Sequence, residues 1–218
     1  MTAPTNSDGT YTALEICGSD SAWVHCKNDP PRYAQGDSRW GNDKYDHLEG
    51  ETISSKGCAL SCMAIVMTAF GDTIDPGKLN TWMKGRASVS QGGYLMNGGV
   101  SWYAPEQHAF PKKIKLIEPH RAEMFSQVDS ITAKGDTIKV KRLNLESRSN
   151  PSTLDSFLER CNLISVSVYN SKTKNQHWVV VTGKSNGRYS IVDPGDRNKQ
   201  FLDEYGDFWS YMVYQKEE

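Results

Sequence analysis

The sequence predicts an α+β fold, with a mainly helical N-terminal half followed by a C-terminal half of antiparallel strands. The first observation is an apolar run from Cys58 to Ala69, which Phe70-Gly71 ends, so a buried central helix is expected. The second is the pair Asp75-Pro76, an N-cap followed by a first-turn proline, which begins another helix that ends at Gly85. The third is that apolar residues beyond position 160 occur in short runs separated by turn residues, as in strands.

The C-terminal half divides into a set of predicted strands. Asn186-Gly187 is a tight-turn signal, so the strands on either side of it are expected to form a hairpin. The predicted strands are Leu163–Tyr169, Gln176–Gly183, Arg188–Val192 and a last one near Trp209–Tyr214. Shorter helices are expected near Ser101 and over Thr153–Arg160. The central helix is therefore expected to pack on an antiparallel sheet.

Length and charge indicate one main domain with a short appendage. The chain has 218 residues and a net charge of −1, and we divide it into a polar appendage, 1–30, that ends at Pro30-Pro31, and a main domain, 31–218. The balanced charge gives no case for nucleic acid or an anionic membrane as a partner. No apolar run is long enough to span a bilayer, and the first residues lack the features of a secretory signal. We expect a cytoplasmic protein or one exported by a specialised secretion system.

Cys58 is the first candidate for chemistry, because it opens the central helix directly after Gly57. Unpaired N–H groups and the helix dipole converge at a first turn, and both favour a thiolate over a thiol. Most free cysteines are simply small buried hydrophobes, so a nucleophilic role needs a base and a group that orients the base.

His177 and Asp193 are the candidate base and orienting group. His177 opens one predicted strand of the hairpin, and Asp193 closes the other. Antiparallel pairing brings these two ends together. A carboxylate that accepts from one ring nitrogen leaves the other nitrogen free to act as a base. A strand-end histidine or an aspartate before proline is by itself usually structural, so their joint placement carries the prediction.

Gln35 is the candidate oxyanion donor. Its side-chain N–H, together with the backbone N–H of Cys58, would hold the negative oxygen of a tetrahedral intermediate.

The segment Gln35-Gly36-Asp37-Ser38-Arg39-Trp40-Gly41-Asn42, followed by Thr52-Ile53 and Gly57-Cys58-Ala59-Leu60, resembles papain-like cysteine peptidases related to the double-glycine leader peptidases of bacteriocin processing. Cys62, four residues after Cys58, and Asp193-Pro194 after the strand that follows His177 belong to the same resemblance. It covers about residues 31 to 210.

The resemblance implies a papain-like fold with Cys58 as nucleophile, His177 as base, Asp193 as orienting group and Gln35 as oxyanion donor. The long gap between Gln35 and Cys58 is that of the free-standing branch of the family. Many members have Gly-Pro or Gly-Leu after the nucleophile, where this chain has Ala59-Leu60, a difference that bears on the substrate. No transporter is attached, so a leader-processing role is not implied.

Substrate-binding residues are expected on both sides of the site. The glycine-rich loop from Arg86 to Trp102 offers Gly93, Tyr94 and Trp102 as one wall, or it is an ordinary surface loop. Trp178 is the aromatic residue that papain-like enzymes often place over the cysteine–histidine pair. No Cys or His spacing matches a structural zinc site, so no metal or cofactor is expected. Cys17 and Cys26 either form a local disulfide or stay reduced.

The function expected from these residues is hydrolysis of a peptide or amide bond through a thioester acyl-enzyme. The expected partner is a peptide or protein substrate, with the stem peptide of peptidoglycan as one candidate, and an immunity or inhibitor protein if the enzyme is a bacterial toxin. Two alternatives remain: the same residues used for deamidation or transglutamination of a target protein, and a catalytically dead papain-like binding module.

Overall fold

The protein's computed structural model describes residues 29–109 and 113–217. Helices and strands are segregated along the chain as expected, in a mixed helix-and-sheet arrangement consistent with α+β. The described α-helices are α1 (Ile53–Lys56), α2 (Cys58–Ala69), α3 (Pro76–Lys84), α4 (Ala104–His108) and α5 (Asp155–Leu158). Most of the predicted appendage, and both Cys17 and Cys26, lie outside the described residues.

The central helix α2 has the predicted bounds and is buried almost all round. Every residue from Leu60 to Met67 is 0 % exposed, as an apolar run without a polar face requires. Helix α3 is also confirmed: the Asp75 carboxylate caps it by accepting from the backbone N–H of Lys78 at 2.8 Å. The helix begins at Pro76 and ends at Lys84, directly before Gly85, as the sequence indicates.

A five-stranded antiparallel sheet forms the second half of the described chain, with strand order β1-β7-β4-β5-β6. The strands of this sheet are β1 (Ile114–His120), β4 (Leu163–Asn170), β5 (Asn175–Ser185), β6 (Arg188–Val192) and β7 (Phe208–Lys216). Two further strands, β2 (Phe125–Ile131) and β3 (Thr137–Leu143), pair only with each other.

The β5–β6 hairpin turns at the predicted Asn186-Gly187. Both residues have positive φ, 49° and 75°, which is the backbone that a two-residue hairpin loop of this sequence adopts. The strand pairing runs from Ser185 opposite Arg188 to Val180 opposite Val192. The start of β5 and the chain that follows β6 therefore lie at the same end of the hairpin.

The sheet is covered on both faces, because alternate residues of β5 belong to two apolar cores. Trp178 and Val180 pack with α2, and Val179 and Val181 pack with the segment around Leu154 and Leu158. Helix α2 lies mainly against β5, so its first residue is carried to the sheet strand that holds His177.

Some elements differ from the prediction. The helix expected near Ser101 is only Ala104–His108, and Thr153–Arg160 is a 3₁₀ turn, Pro151–Leu154, followed by the single turn of α5. Strands β1, β2 and β3 were not predicted, since exposed residues alternate with half-buried ones there and charged residues interrupt the apolar pattern. None of the helices in the described residues has the length and apolar character needed to cross a bilayer.

Candidate active site

Cys58 is the first residue of α2, a half-buried free thiol. The N-cap residue, Gly57, supplies no side chain to the helix N-terminus, so no side-chain cap competes for the first backbone N–H groups. Glycine is required there by close approach: an added Cβ would lie 2.5 Å from the carbonyl oxygen of Ile53 in α1. The α1–α2 junction thus presents Cys58 beside unpaired backbone donors.

His177 and Asp193 meet at the end of the hairpin. The Nε2–H of His177 donates to Oδ1 of Asp193 at 2.7 Å, and both side chains are buried, at 8 % and 0 % exposed. Cys58 interacts with the same imidazole and raises its pKa, and because Nε2 faces Asp193, Nδ1 is the ring nitrogen left for the sulfur. His177 and Asp193 therefore meet, as their strand-end positions predict, with the imidazole within the influence of Cys58.

The carboxylate of Asp193 is saturated with donors. Its Oδ1 also accepts from the backbone N–H groups of Gly195 at 2.7 Å and Asp196 at 3.0 Å. Its Oδ2 accepts from the hydroxyl of Tyr205 at 2.5 Å. The ring of Tyr205 also lies 5.9 Å from the imidazole of His177. Four donors fix the carboxylate, and the carboxylate in turn fixes the imidazole.

These contacts favour the charged forms. Burial alone would lower the pKa of His177, but hydrogen bonds to Asp193 and Cys58 outweigh it and raise that pKa to about 10. Burial would raise the pKa of Asp193, yet the interaction with His177 holds it below its ordinary value. Burial and the neighbouring Asp193 raise the pKa of Tyr205, so its hydroxyl stays protonated and donates. The result is a buried imidazolium paired with the carboxylate of Asp193.

Gln35 is anchored beside the loop that carries Asp193. Its backbone N–H donates to the carbonyl of Pro194 at 2.9 Å. Its side-chain nitrogen donates to the carbonyl of Ser54 in α1 at 2.7 Å, and this nitrogen carries a second hydrogen. The side-chain oxygen is buried without a hydrogen-bond partner. Gln35 therefore bridges the two segments that flank the site, the α1 end and the Pro194 loop.

Trp178 and Trp102 are neighbours in the core. Their ring centroids are 4.3 Å apart, and the residues are only 9 % and 6 % exposed. The carbonyl of Trp102 also accepts from the buried hydroxyl of Tyr214 at 2.8 Å. Both residues were expected to contact substrate. Their burial favours a packing role for the two indoles instead.

Tyr94 and Gly93 contact residues other than the proposed catalytic groups. The hydroxyl of Tyr94 donates to Asn80 at 2.9 Å, and its ring meets the edge of Tyr45 at 5.2 Å. Burial, with a smaller contribution from Cys58, raises the pKa of Tyr45. Gly93 is buried, and an added Cβ would lie 3.0 Å from Arg86 and from the Ser88 carbonyl, so this glycine serves the folding of its own loop.

The other cysteines have different surroundings. Cys62, one turn after Cys58, is fully buried, and burial raises the pKa of its thiol, which makes it an inert core residue. Cys161 is half-buried and disulfide-bonded.

His108 and His120 have partners of their own. His108 pairs with Asp72 at 2.6 Å, and His120 stacks on Tyr211 at 4.5 Å. Within the described residues no group of three or more His, Cys, Asp or Glu side chains could hold a metal ion.

Two residues of the site were not predicted from the sequence. Gly195 covers the imidazole so closely that an added Cβ would lie 2.7 Å from Cε1 of His177. Its place in Asp193-Pro194-Gly195 was a usable signal, because it directly follows the orienting aspartate. Tyr205 gives no local signal, since it meets Asp193 only through the fold.

Comparisons with protein-family models, with curated proteins and with solved structures find no match to this chain. The function is therefore inferred from the site itself.

Proposed function

We propose that this protein is a papain-like cysteine peptidase or amidase. The observation that carries the proposal is the buried His177–Asp193 pair, bonded at 2.7 Å, with Cys58 at the start of α2 acting on the same imidazole. A thiol at a helix N-terminus, a buried imidazole and an orienting carboxylate are the parts of a Cys–His–Asp nucleophile system.

The chemistry follows from the positions of these groups. The proton of Cys58 resides on His177 in a thiolate–imidazolium pair, and the thiolate attacks the carbonyl carbon of the substrate amide, forming a C–S bond. The backbone N–H of Cys58 and the second side-chain hydrogen of Gln35 hold the oxyanion. The intermediate collapses as the C–N bond breaks, and the imidazolium protonates the leaving amine. Water then attacks the thioester with His177 as base, and cleavage of the C–S bond releases the acid and restores the thiolate–imidazolium pair.

The proposed substrate is a peptide or protein. Peptidoglycan stem peptide is one candidate, and a toxin role with its own immunity protein is consistent with the same chemistry. Deamidation and transglutamination use the same acyl-enzyme, and they are separate outcomes of the test below.

The test compares wild type, Cys58→Ala and Cys62→Ala on a denatured protein mixture and on purified peptidoglycan. Cys62→Ala is the matched control, because it removes a sulfur from the same helix one turn away. We expect wild type and Cys62→Ala to produce new amino termini and Cys58→Ala to produce none. Mass spectrometry separates the alternatives, since deamidation adds about one dalton without chain cleavage. Activity that survives in Cys58→Ala contradicts the proposal. A folded wild-type protein that shows no activity and no labelling of Cys58 supports a binding module.

A further inference from the structure

A polar cavity of about 520 Å³ adjoins the candidate active site. Its walls include Gln35, Ser54, Pro194 and Gly195, so it shares residues with the site on the side of the imidazole that Gly195 covers. Arg197 and the segment 36–38 complete the rim. The cavity is therefore bounded by a glycine that lies directly on the imidazole of His177.

The cavity lining carries one charge of each sign, Asp37 and Arg197, and Arg39, outside the lining, adds a second cation against Asp37. Asp37 accepts from Nε and Nη2 of Arg39 at 2.9 and 3.0 Å, so these two charges compensate each other. Arg197 only approaches the same carboxylate, with Nη2 3.9 Å from Oδ2. The other nearby carboxylate, Asp196, is paired with Lys172 at 3.5 Å. The guanidinium of Arg197 thus has N–H donors available for a ligand.

We propose that this cavity is a substrate subsite for a carboxylate, with Arg197 as the residue that binds it. The inference rests on the proposed function and names the substrate chemistry of the same site. A guanidinium binds a carboxylate through two parallel N–H donors, and the hydroxyls of Ser38 and Ser54 lie on the same walls. A lysine or arginine of the substrate would meet a like charge there.

Two sources supply a carboxylate: an acidic side chain, or the free C-terminus of a peptide. Peptides in which a vinyl sulfone replaces the scissile amide distinguish them. One series carries glutamate, glutamine or lysine at each position on either side of the electrophile. A second series ends in a carboxylate or in a carboxamide. The rate at which each peptide modifies Cys58, followed by intact mass, is the readout.

We expect a preference of about tenfold for a carboxylate over its amide at one position, and Arg197→Ala to remove it. Arg197→Glu should reverse the preference toward lysine. Arg148→Ala is the matched control, because Arg148 forms a similar exposed pair with Asp207, at 3.5 Å, and does not line the cavity. A preference confined to the first series assigns an acidic side chain as the ligand. A preference confined to the second series assigns a free C-terminus.

Equal rates for carboxylate, amide and lysine probes at every position would overturn the subsite and leave the proposed function standing. A preference that persists unchanged in Arg197→Ala would also overturn it. Failure of every probe to modify Cys58 in the folded protein would remove the proposed function as well, so the two failures are distinguishable.

Discussion

At the residue scale, the site depends on side chains that hold other side chains in place. Asp193 holds His177, and Tyr205 holds Asp193 from the opposite oxygen. Gln35 differs from these residues, because its proposed role begins only when an oxyanion forms. Substitutions at Tyr205 and Gln35 therefore separate positioning from transition-state stabilisation.

For Tyr205→Phe we expect alkylation of Cys58 by iodoacetamide at neutral pH to slow about 3- to 10-fold, because Asp193 loses one donor and holds the imidazole less firmly. The pH profile of the rate should shift, which a purely structural role would not produce. Tyr189→Phe is the control, since its hydroxyl bonds Asp155 at 2.8 Å, away from the site. Matching profiles for Tyr205→Phe and wild type would exclude the positioning role.

For Gln35→Ala we expect turnover to fall on the order of 100-fold while iodoacetamide still alkylates Cys58 at a near-normal rate. The two measurements differ because alkylation forms no oxyanion. Gln127→Ala, on the exposed strand β2, is the control. Equal losses in turnover and alkylation would show that Gln35 supports the thiol rather than the oxyanion.

At the scale of elements, the β5–β6 hairpin determines that His177 and Asp193 meet. A one-residue slip in the pairing would turn every side chain of β6 to the opposite face of the sheet. The turn at Asn186-Gly187 prevents this, and Gly195 then lets the loop after β6 lie directly on the imidazole.

For Gly195→Ala we expect the new methyl group to displace the His177 ring, because the Cβ would lie 2.7 Å from Cε1. Alkylation of Cys58 at neutral pH should fall at least about tenfold. Gly183→Ala on the same hairpin is a matched control, since an added Cβ there meets nothing within 4 Å. A normal rate in Gly195→Ala would mean that the ring position is not critical.

At the scale of the whole molecule, the site joins the two halves of the described chain. Cys58 comes from the helical half and His177 from the sheet, and the packing of α2 on β5 brings them together. A charged imidazole at this junction also links stability to pH.

Because the pKa of His177 is raised from 6.5 to about 10, the folded protein holds a proton there that the unfolded chain releases. The resulting stability is fully present below pH 6.5 and is lost as pH rises toward 10. We expect the free energy of unfolding in urea to decline by a few kcal/mol more in wild type than in His177→Gln over this range. Parallel declines in the two proteins would contradict the raised pKa.

The sequence by itself determined the elements that depend on neighbouring residues. The bounds of α2 and α3, the Asn186-Gly187 turn and the strand ends that carry His177 and Asp193 all follow from local periodicity, caps and turn chemistry. Close approach of His177 to Asp193 was predictable for the same reason, since a hairpin brings together residues near in sequence.

Only the tertiary structure decided which distant side chains surround these elements. Tyr205 reaches Asp193, Trp102 and Trp178 are buried together, and β1 pairs with the far C-terminal β7. No local pattern specifies such contacts, because they depend on how whole elements pack and on the burial that results. Local sequence patterns thus identify the candidate reactive groups, and long-range packing completes their environment.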